Sequence, residues 1–71
     1  MNPKLQWLRN TMSSLNLQGL IISNPINIKY LTNIEAEGVL LLTRKENIYI
    51  TSFIFEALEN VRKFDKDIKI S

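Results

Sequence analysis

The sequence predicts a small α/β protein, with a mixed sheet of about four strands and two main helices. Apolar residues recur every three or four positions near both ends of the chain, and short apolar runs typical of strands lie between them. The resulting element order is helix, strand, short helix, strand, strand, helix, strand. With 71 residues, 45% of them apolar and 23% charged, the chain fits one globular domain.

The first helix begins at Asn2 and Pro3, since asparagine caps helix starts and proline is tolerated at the first helical position. Its predicted apolar face consists of Leu5, Leu8, Met12 and Leu15. The helix is predicted to end near residues 17–19, with Gly19 in the left-handed conformation. Trp7 lies off the apolar face, so it either covers a shoulder of the core or contributes to a protein interface.

Residues 20–23 form a short apolar run, which predicts a strand buried on both faces. The proline after Asn24 disfavours a helical conformation there, and Asn24 and Asn27 are expected to cap or close the turn. Ile28 and Leu31 have helical spacing, which predicts a short helix within residues 26–32. Tyr30 on that helix is predicted to be a core residue with its hydroxyl at the rim, and an interface is the alternative.

A polar loop is predicted for residues 33–37, where Glu35 and Glu37 are expected to point in opposite directions. Residues 38–43 and 47–51 then form a hairpin, with the first strand central because it is apolar on both faces. Ser52 is predicted to cap the second main helix, and Ile54 is predicted to be a core residue. The wide apolar face of that helix consists of Ile54, Ala57, Leu58, Val61 and Phe64.

The last strand starts at residue 66 or 67 and runs to 70, with Ile68 and Ile70 on one side. Because a helix separates it from the preceding strand, a right-handed parallel crossover is expected. Two main helices cover only part of such a sheet. We therefore expect an exposed apolar patch that pairs with a second copy or with further sequence.

The composition excludes several kinds of chemistry. The chain has no cysteine and no histidine, which excludes disulfides, thiolate metal sites and histidine-based nucleophilic catalysis. No nucleic-acid partner is expected, because the densest basic group is interleaved with Asp65 and Asp67. That basic group consists of Arg62, Lys63, Lys66 and Lys69. The longest apolar run, residues 39–42, is far below the roughly 20 residues that span a bilayer, and no signal segment is visible. We therefore expect no membrane partner and a cytoplasmic location.

The motif Asn27-Ile28-x-Tyr30-Leu31-Thr32 resembles one in the N-terminal domain of the creatinase/prolidase family, the Xaa-Pro aminopeptidases and dipeptidases. Arg9 on the first helix, the strand that follows Gly38 and the segment Tyr49-Ile50-Thr51 fit the same pattern in order and spacing. The resemblance covers nearly all of the chain. It implies the ribonuclease-H-like N-terminal domain of that family, truncated to about half. Ser52 and Ile54 depart from the pattern, because they stand where the family has Asp and Arg.

In the family, catalysis belongs to a separate pita-bread domain, which this chain lacks. The resemblance therefore implies no catalytic or metal-binding residues here, and two divalent metals (Mn, Co or Zn) only in the absent domain. It implies that the N-terminal domain supports dimerisation and shapes the active-site entrance. Asn33, Glu35 and Glu37 are the candidate entrance residues, and Trp7 and Tyr30 are the candidate interface residues.

The expected function is that of a non-catalytic fragment of an Xaa-Pro peptidase-like protein. Its partner would be a second copy in a homodimer or the remainder of the parent protein. The alternative is a stand-alone α/β interaction module that kept the scaffold without the enzyme. A ribonuclease-H-like nuclease is excluded, because that chemistry needs clustered carboxylates at strand ends.

Overall fold

The computed structural model describes residues 2–71. The elements follow the predicted order, with three helices and four strands in that part of the chain. Their bounds are α1 Pro3–Ser14, β1 Gly19–Ile22, α2 Pro25–Thr32, β2 Val39–Thr43, β3 Asn47–Ile50, α3 Ile54–Phe64 and β4 Ile68–Ile70. The mixed α/β fold class predicted from the sequence is confirmed.

The four strands form one sheet in the order β1-β2-β3-β4. β2 pairs antiparallel with both neighbours, whereas β4 pairs parallel with β3. The predicted hairpin, the central position of β2 and the parallel last strand are therefore all observed. In register, Leu41 lies between Ile21 on β1 and Ile48 on β3, so these three side chains share one face.

The core lies on the other face of the sheet. Leu40, Leu42, Tyr49 and Ile68 point to this side and are buried. They form one apolar cluster with buried residues from all three helices, namely Leu5, Met12, Ile28, Ala57 and Val61. Because every helix contributes to this cluster, the molecule has two layers, with the helices on one side of the sheet.

The opposite sheet face carries no buried side chain among the described residues. Ile21 is 70% exposed, Ile50 is 48% exposed, and Leu41 and Ile48 are partly exposed. The prediction that residues 20–23 are buried on both faces is therefore wrong. β1 is an edge strand with helices on one side only, so its side chains alternate between partly buried and exposed.

The first helix ends three residues earlier than predicted, at Ser14. Leu15 is consequently 64% exposed and does not belong to the core face. The left-handed residue is Asn16, with φ of 58°, and not Gly19, which begins β1. Asparagine tolerates this conformation better than most residues, so the chain can turn before the glycine. At the other end Asn2 caps the helix as predicted, because its side-chain oxygen accepts hydrogen bonds from the Lys4 and Leu5 amides.

Arg9 ties α1 to the turn between β2 and β3. Its guanidinium donates to the carbonyl oxygens of Thr43 and Glu46, each at 3.1 Å, and to the side-chain oxygen of Asn47. Planar guanidinium groups are suited to such divergent acceptors. This contact fixes the helix against the hairpin end of the sheet.

The start of α3 differs from the prediction. The cap position is Phe53 and not Ser52, and the Phe53 amide instead donates to the hydroxyl oxygen of Thr51 at 2.9 Å. Ile54 is 45% exposed, so it is not a core residue. The buried residues of α3 are Ala57 and Val61. The sheet therefore covers only part of the apolar face of α3.

Candidate functional site

The three candidate entrance residues lie in the segment that joins α2 to β2. Asn33, Glu35 and Glu37 are exposed, and they alternate with the buried Ile34 and Ala36. Alternation with a period of two places all three on the outward side. The expectation that Glu35 and Glu37 point in opposite directions is therefore wrong. The side chains of Ile34 and Ala36 are buried in the core, so both carboxylates face outward.

This segment, residues 33–37, is held by side chains from the sheet and from α3. The hydroxyl of the buried Tyr49 donates to the carbonyl oxygen of Ala36, and the amide of Glu35 donates to the side-chain oxygen of Asn60 at 3.1 Å. Burial raises the pKa of Tyr49 above 10.0, with a smaller contribution from the carboxylate of Glu37. The phenol therefore stays neutral and remains a hydrogen-bond donor. It holds the backbone of the segment from the core side.

Glu35 is paired with Lys29 on α2, with 2.8 Å between the carboxylate oxygen and the ammonium nitrogen. The hydrogen bond and the charge of Lys29 lower the pKa of Glu35 from 4.5. A carboxylate held ionised in this way cannot serve as a general acid near neutral pH. In residues 2–71, no three acidic, histidine or cysteine side chains are grouped so that they could hold a metal ion.

The two candidate interface residues, Trp7 and Tyr30, line one groove. The groove has a volume of about 590 Å³ and lies between α1, α2 and β1. Each of the two aromatic side chains is 66% exposed. The prediction that Tyr30 belongs to the core is wrong, since Ile28 and Thr32 form the buried side of α2 and Tyr30 lies between them on the other side. The structure thus brings Trp7 and Tyr30 together on the surface.

Lys4 also lines this groove, and nothing in the sequence indicated its role. Its ammonium lies 4.1 Å from the centre of the Tyr30 ring and donates to the Tyr30 carbonyl oxygen at 2.9 Å. The two residues are 26 positions apart in the chain. Only the packing of α1 beside α2 brings them together, so no local pattern could have revealed the contact.

The fold is a two-layer mixed α/β domain. It begins with a helix, a strand and a second helix, and it contains an antiparallel hairpin. A solved structure shares this fold over 100% of the chain, with a TM-score of 0.81 and 19% sequence identity. It is the N-terminal domain of the cytoplasmic peptidase PepQ from Mycobacterium tuberculosis H37Rv. The present chain spans 55% of the length of that one.

The family model of the Creatinase/Prolidase N-terminal domain matches residues 4–69. The chain therefore belongs to the creatinase/prolidase N-terminal domain family, as the motif around Tyr30 indicated. No curated protein matches it. Among the helices of residues 2–71, none is long and apolar enough to cross a membrane.

Proposed function

We propose that the chain is a non-catalytic part of an Xaa-Pro peptidase-like protein and works by association. Its partner is a second copy of the chain or the remainder of the parent protein. The observation that supports this most is the uncovered sheet face, where Ile21, Leu41 and Ile48 lie side by side across three strands. Contiguous exposed apolar surface of this kind typically marks an interaction site.

Burial of apolar surface contributes about 25 cal/mol per Å². Ile21 at 70% and Ile50 at 48% exposure leave much of that contribution unused in the isolated chain. A partner that covers both side chains would recover it, while the partly exposed Leu41 and Ile48 would form the centre of the contact.

We also propose that the chain shapes the active-site entrance of the parent enzyme. Asn33, Glu35 and Glu37 present polar side chains from a backbone that Tyr49 and Asn60 hold in place. A fixed polar rim suits a wall beside a substrate channel. The parent would hydrolyse the bond between a residue and a following proline, with its two divalent metals held by a different domain. The location would be cytoplasmic.

One observation favours the alternative, a stand-alone interaction module. Within residues 2–71, every buried side-chain nitrogen and oxygen has a hydrogen-bond partner. Buried polar groups in folded proteins are nearly always hydrogen-bonded. The polar side chains of this chain are thus consistent with independent folding.

Sedimentation at two concentrations tests the association. We expect concentration-dependent dimers for the natural chain and a shift to monomer for Ile21→Lys, since the lysine places a charge in the apolar face. Ile26→Lys is the matched control, because Ile26 is 78% exposed on α2 and does not belong to this sheet face. A clean monomer across micromolar concentrations would refute the dimer, and co-purification with the remainder of the parent would then identify the partner.

The absence of catalysis has a separate test. The purified chain is expected to show no hydrolysis of an Xaa-Pro dipeptide with added manganese or cobalt. Measurable turnover would overturn the non-catalytic assignment, whatever the oligomeric state.

A further inference from the structure

The groove between α1 and α2 is a second surface, separate from the uncovered sheet face. Its floor includes Leu20 and Ile22, which point to the helix side of β1, whereas Ile21 points to the opposite side. Leu8 and Leu31 complete the floor, and all four floor residues pack against the core while remaining partly exposed. Association through the sheet face would therefore leave the groove open.

The rims of the groove are aromatic. Trp7 and Tyr30 are each 66% exposed in the isolated chain. A site for a small molecule usually encloses most of its ligand within preformed walls. Aromatic rims that stand out into solvent are instead typical of contacts with another polypeptide, where tryptophan and tyrosine supply much of the binding energy.

The groove carries positive charge at one place, the side chain of Lys4. Among the lining residues that the structure describes, Lys4 alone is charged, and Asn27 is the amide side chain. The Lys4 ammonium is held in place by the Tyr30 ring at 4.1 Å and by the Tyr30 carbonyl oxygen at 2.9 Å. It has further donors to offer, since an ammonium group has three. A ligand that fits this groove is therefore apolar along its length and negatively charged at the end beside Lys4.

We propose that the groove between α1 and α2 docks a short apolar peptide segment of a partner protein, with one carboxylate of that segment beside Lys4. The apolar side chains of the segment lie on the floor between Trp7 and Tyr30. This docking is independent of the proposed dimer, because it uses the helix side of the molecule.

The probe is a library of random heptapeptides displayed on phage, selected on the chain immobilised through its C-terminus. Enriched peptides are expected to combine at least two large apolar residues with one Asp or Glu. The best peptide is then synthesised, and its affinity is measured for the natural chain and for four variants. These variants are Trp7→Ala, Lys4→Gln, Phe55→Ala and Lys45→Gln.

Trp7→Ala is expected to weaken binding by about 30-fold or more, as truncation of a central aromatic anchor does. Lys4→Gln is expected to weaken it about two- to fivefold, the effect of an exposed ion pair. Phe55→Ala and Lys45→Gln are the matched controls, because Phe55 is 89% exposed and Lys45 is exposed, and both lie outside the groove. Both should bind like the natural chain.

A peptide in which Gln replaces the acidic residue completes a double-mutant cycle. It should lose the same factor on the natural chain and lose nothing further on Lys4→Gln. Failure to enrich peptides, enrichment of peptides without a carboxylate, or equal loss in Trp7→Ala and Phe55→Ala would each overturn the proposal. Circular dichroism checks the fold of Trp7→Ala, and Tyr30→Ala on the opposite rim serves in its place if that variant unfolds.

Discussion

Gly38 immediately precedes β2, and replacing it by alanine is expected to destabilise the protein strongly. A Cβ atom at this position would lie within 3.0 Å of the Ile50 carbonyl oxygen and 2.9 Å from two ring carbons of Tyr49. Neither neighbour can move cheaply. Ile50 belongs to the paired strand β3, and the Tyr49 ring is buried and hydrogen-bonded to Ala36. The glycine is therefore required by close approach and not by a left-handed backbone.

The magnitude follows from these two contacts. Overpacking in a well-ordered core costs about 1–3 kcal/mol. Displacement of the Tyr49 ring also weakens its hydrogen bond to Ala36, which adds about 1 kcal/mol. A total of about 2–4 kcal/mol should lower the melting temperature of a domain of this size by roughly 8 °C or more. Thermal and urea unfolding followed by far-ultraviolet circular dichroism measure both quantities.

Gly19→Ala is the matched control, since the chain has two glycines. A Cβ atom at Gly19 would meet the Leu42 carbonyl oxygen at 3.4 Å, an ordinary contact. The alanine restricts the unfolded chain, so this variant should match the natural stability or exceed it by about 0.4–1 kcal/mol. If the two variants unfolded at the same temperature, the reasoning from close approach would be refuted.

Three further outcomes are expected. Arg9→Ala should lower the free energy of unfolding in urea by about 1–3 kcal/mol, because it removes three hydrogen bonds between α1 and the hairpin turn, and a neutral effect would contradict this. The free energy of unfolding should fall as the pH rises above about 10. The pKa of Tyr49 is higher in the folded than in the unfolded chain, so the unfolded chain loses the phenol proton at lower pH. Tyr49→Phe should abolish this alkaline loss and Tyr30→Phe should keep it, as monitored by urea unfolding across pH. Asn24→Ala should cost about 1 kcal/mol, because its side chain accepts from two amides at the start of α2, and the exposed Asn10→Ala should cost less.

The element order could be predicted because breakers and periodicity agree at most boundaries. Asn24 and the proline after it mark the start of α2, and the spacing of Ile28 and Leu31 then indicates a helix. The sequence places the end of α1 too late, because Gly19 is a stronger statistical signal than Asn16, and the helix ends at Ser14. Sequence spacing cannot show that asparagine takes the left-handed conformation first.

Burial was harder to predict than secondary structure. Ile21 lies in an apolar run, and nothing local distinguishes an edge strand with one covered face from a central one. Tyr30 precedes Leu31, and Ile54 lies on a helical apolar stripe, so the sequence predicts both in the core, yet both are exposed. Which side of a helix or strand is covered depends on how many layers the fold has, and that is a property of the whole arrangement. The contact between Lys4 and Tyr30 likewise depends on the whole arrangement, because only helix packing brings the two residues together.

β4 pairs parallel with β3, and the connection between these two strands contains the whole of α3. β1, β2 and β3 are neighbours along the chain, except for the insertion of α2, and the β2–β3 turn is short. β4 follows α3 in the chain, and it pairs with β3 over three residues. Amide hydrogens in β4 should therefore exchange with solvent through local opening, while those of β2 exchange only when the whole domain unfolds. A binding partner that extends the sheet beyond β4 would slow that exchange, because β4 would then be paired on both of its edges.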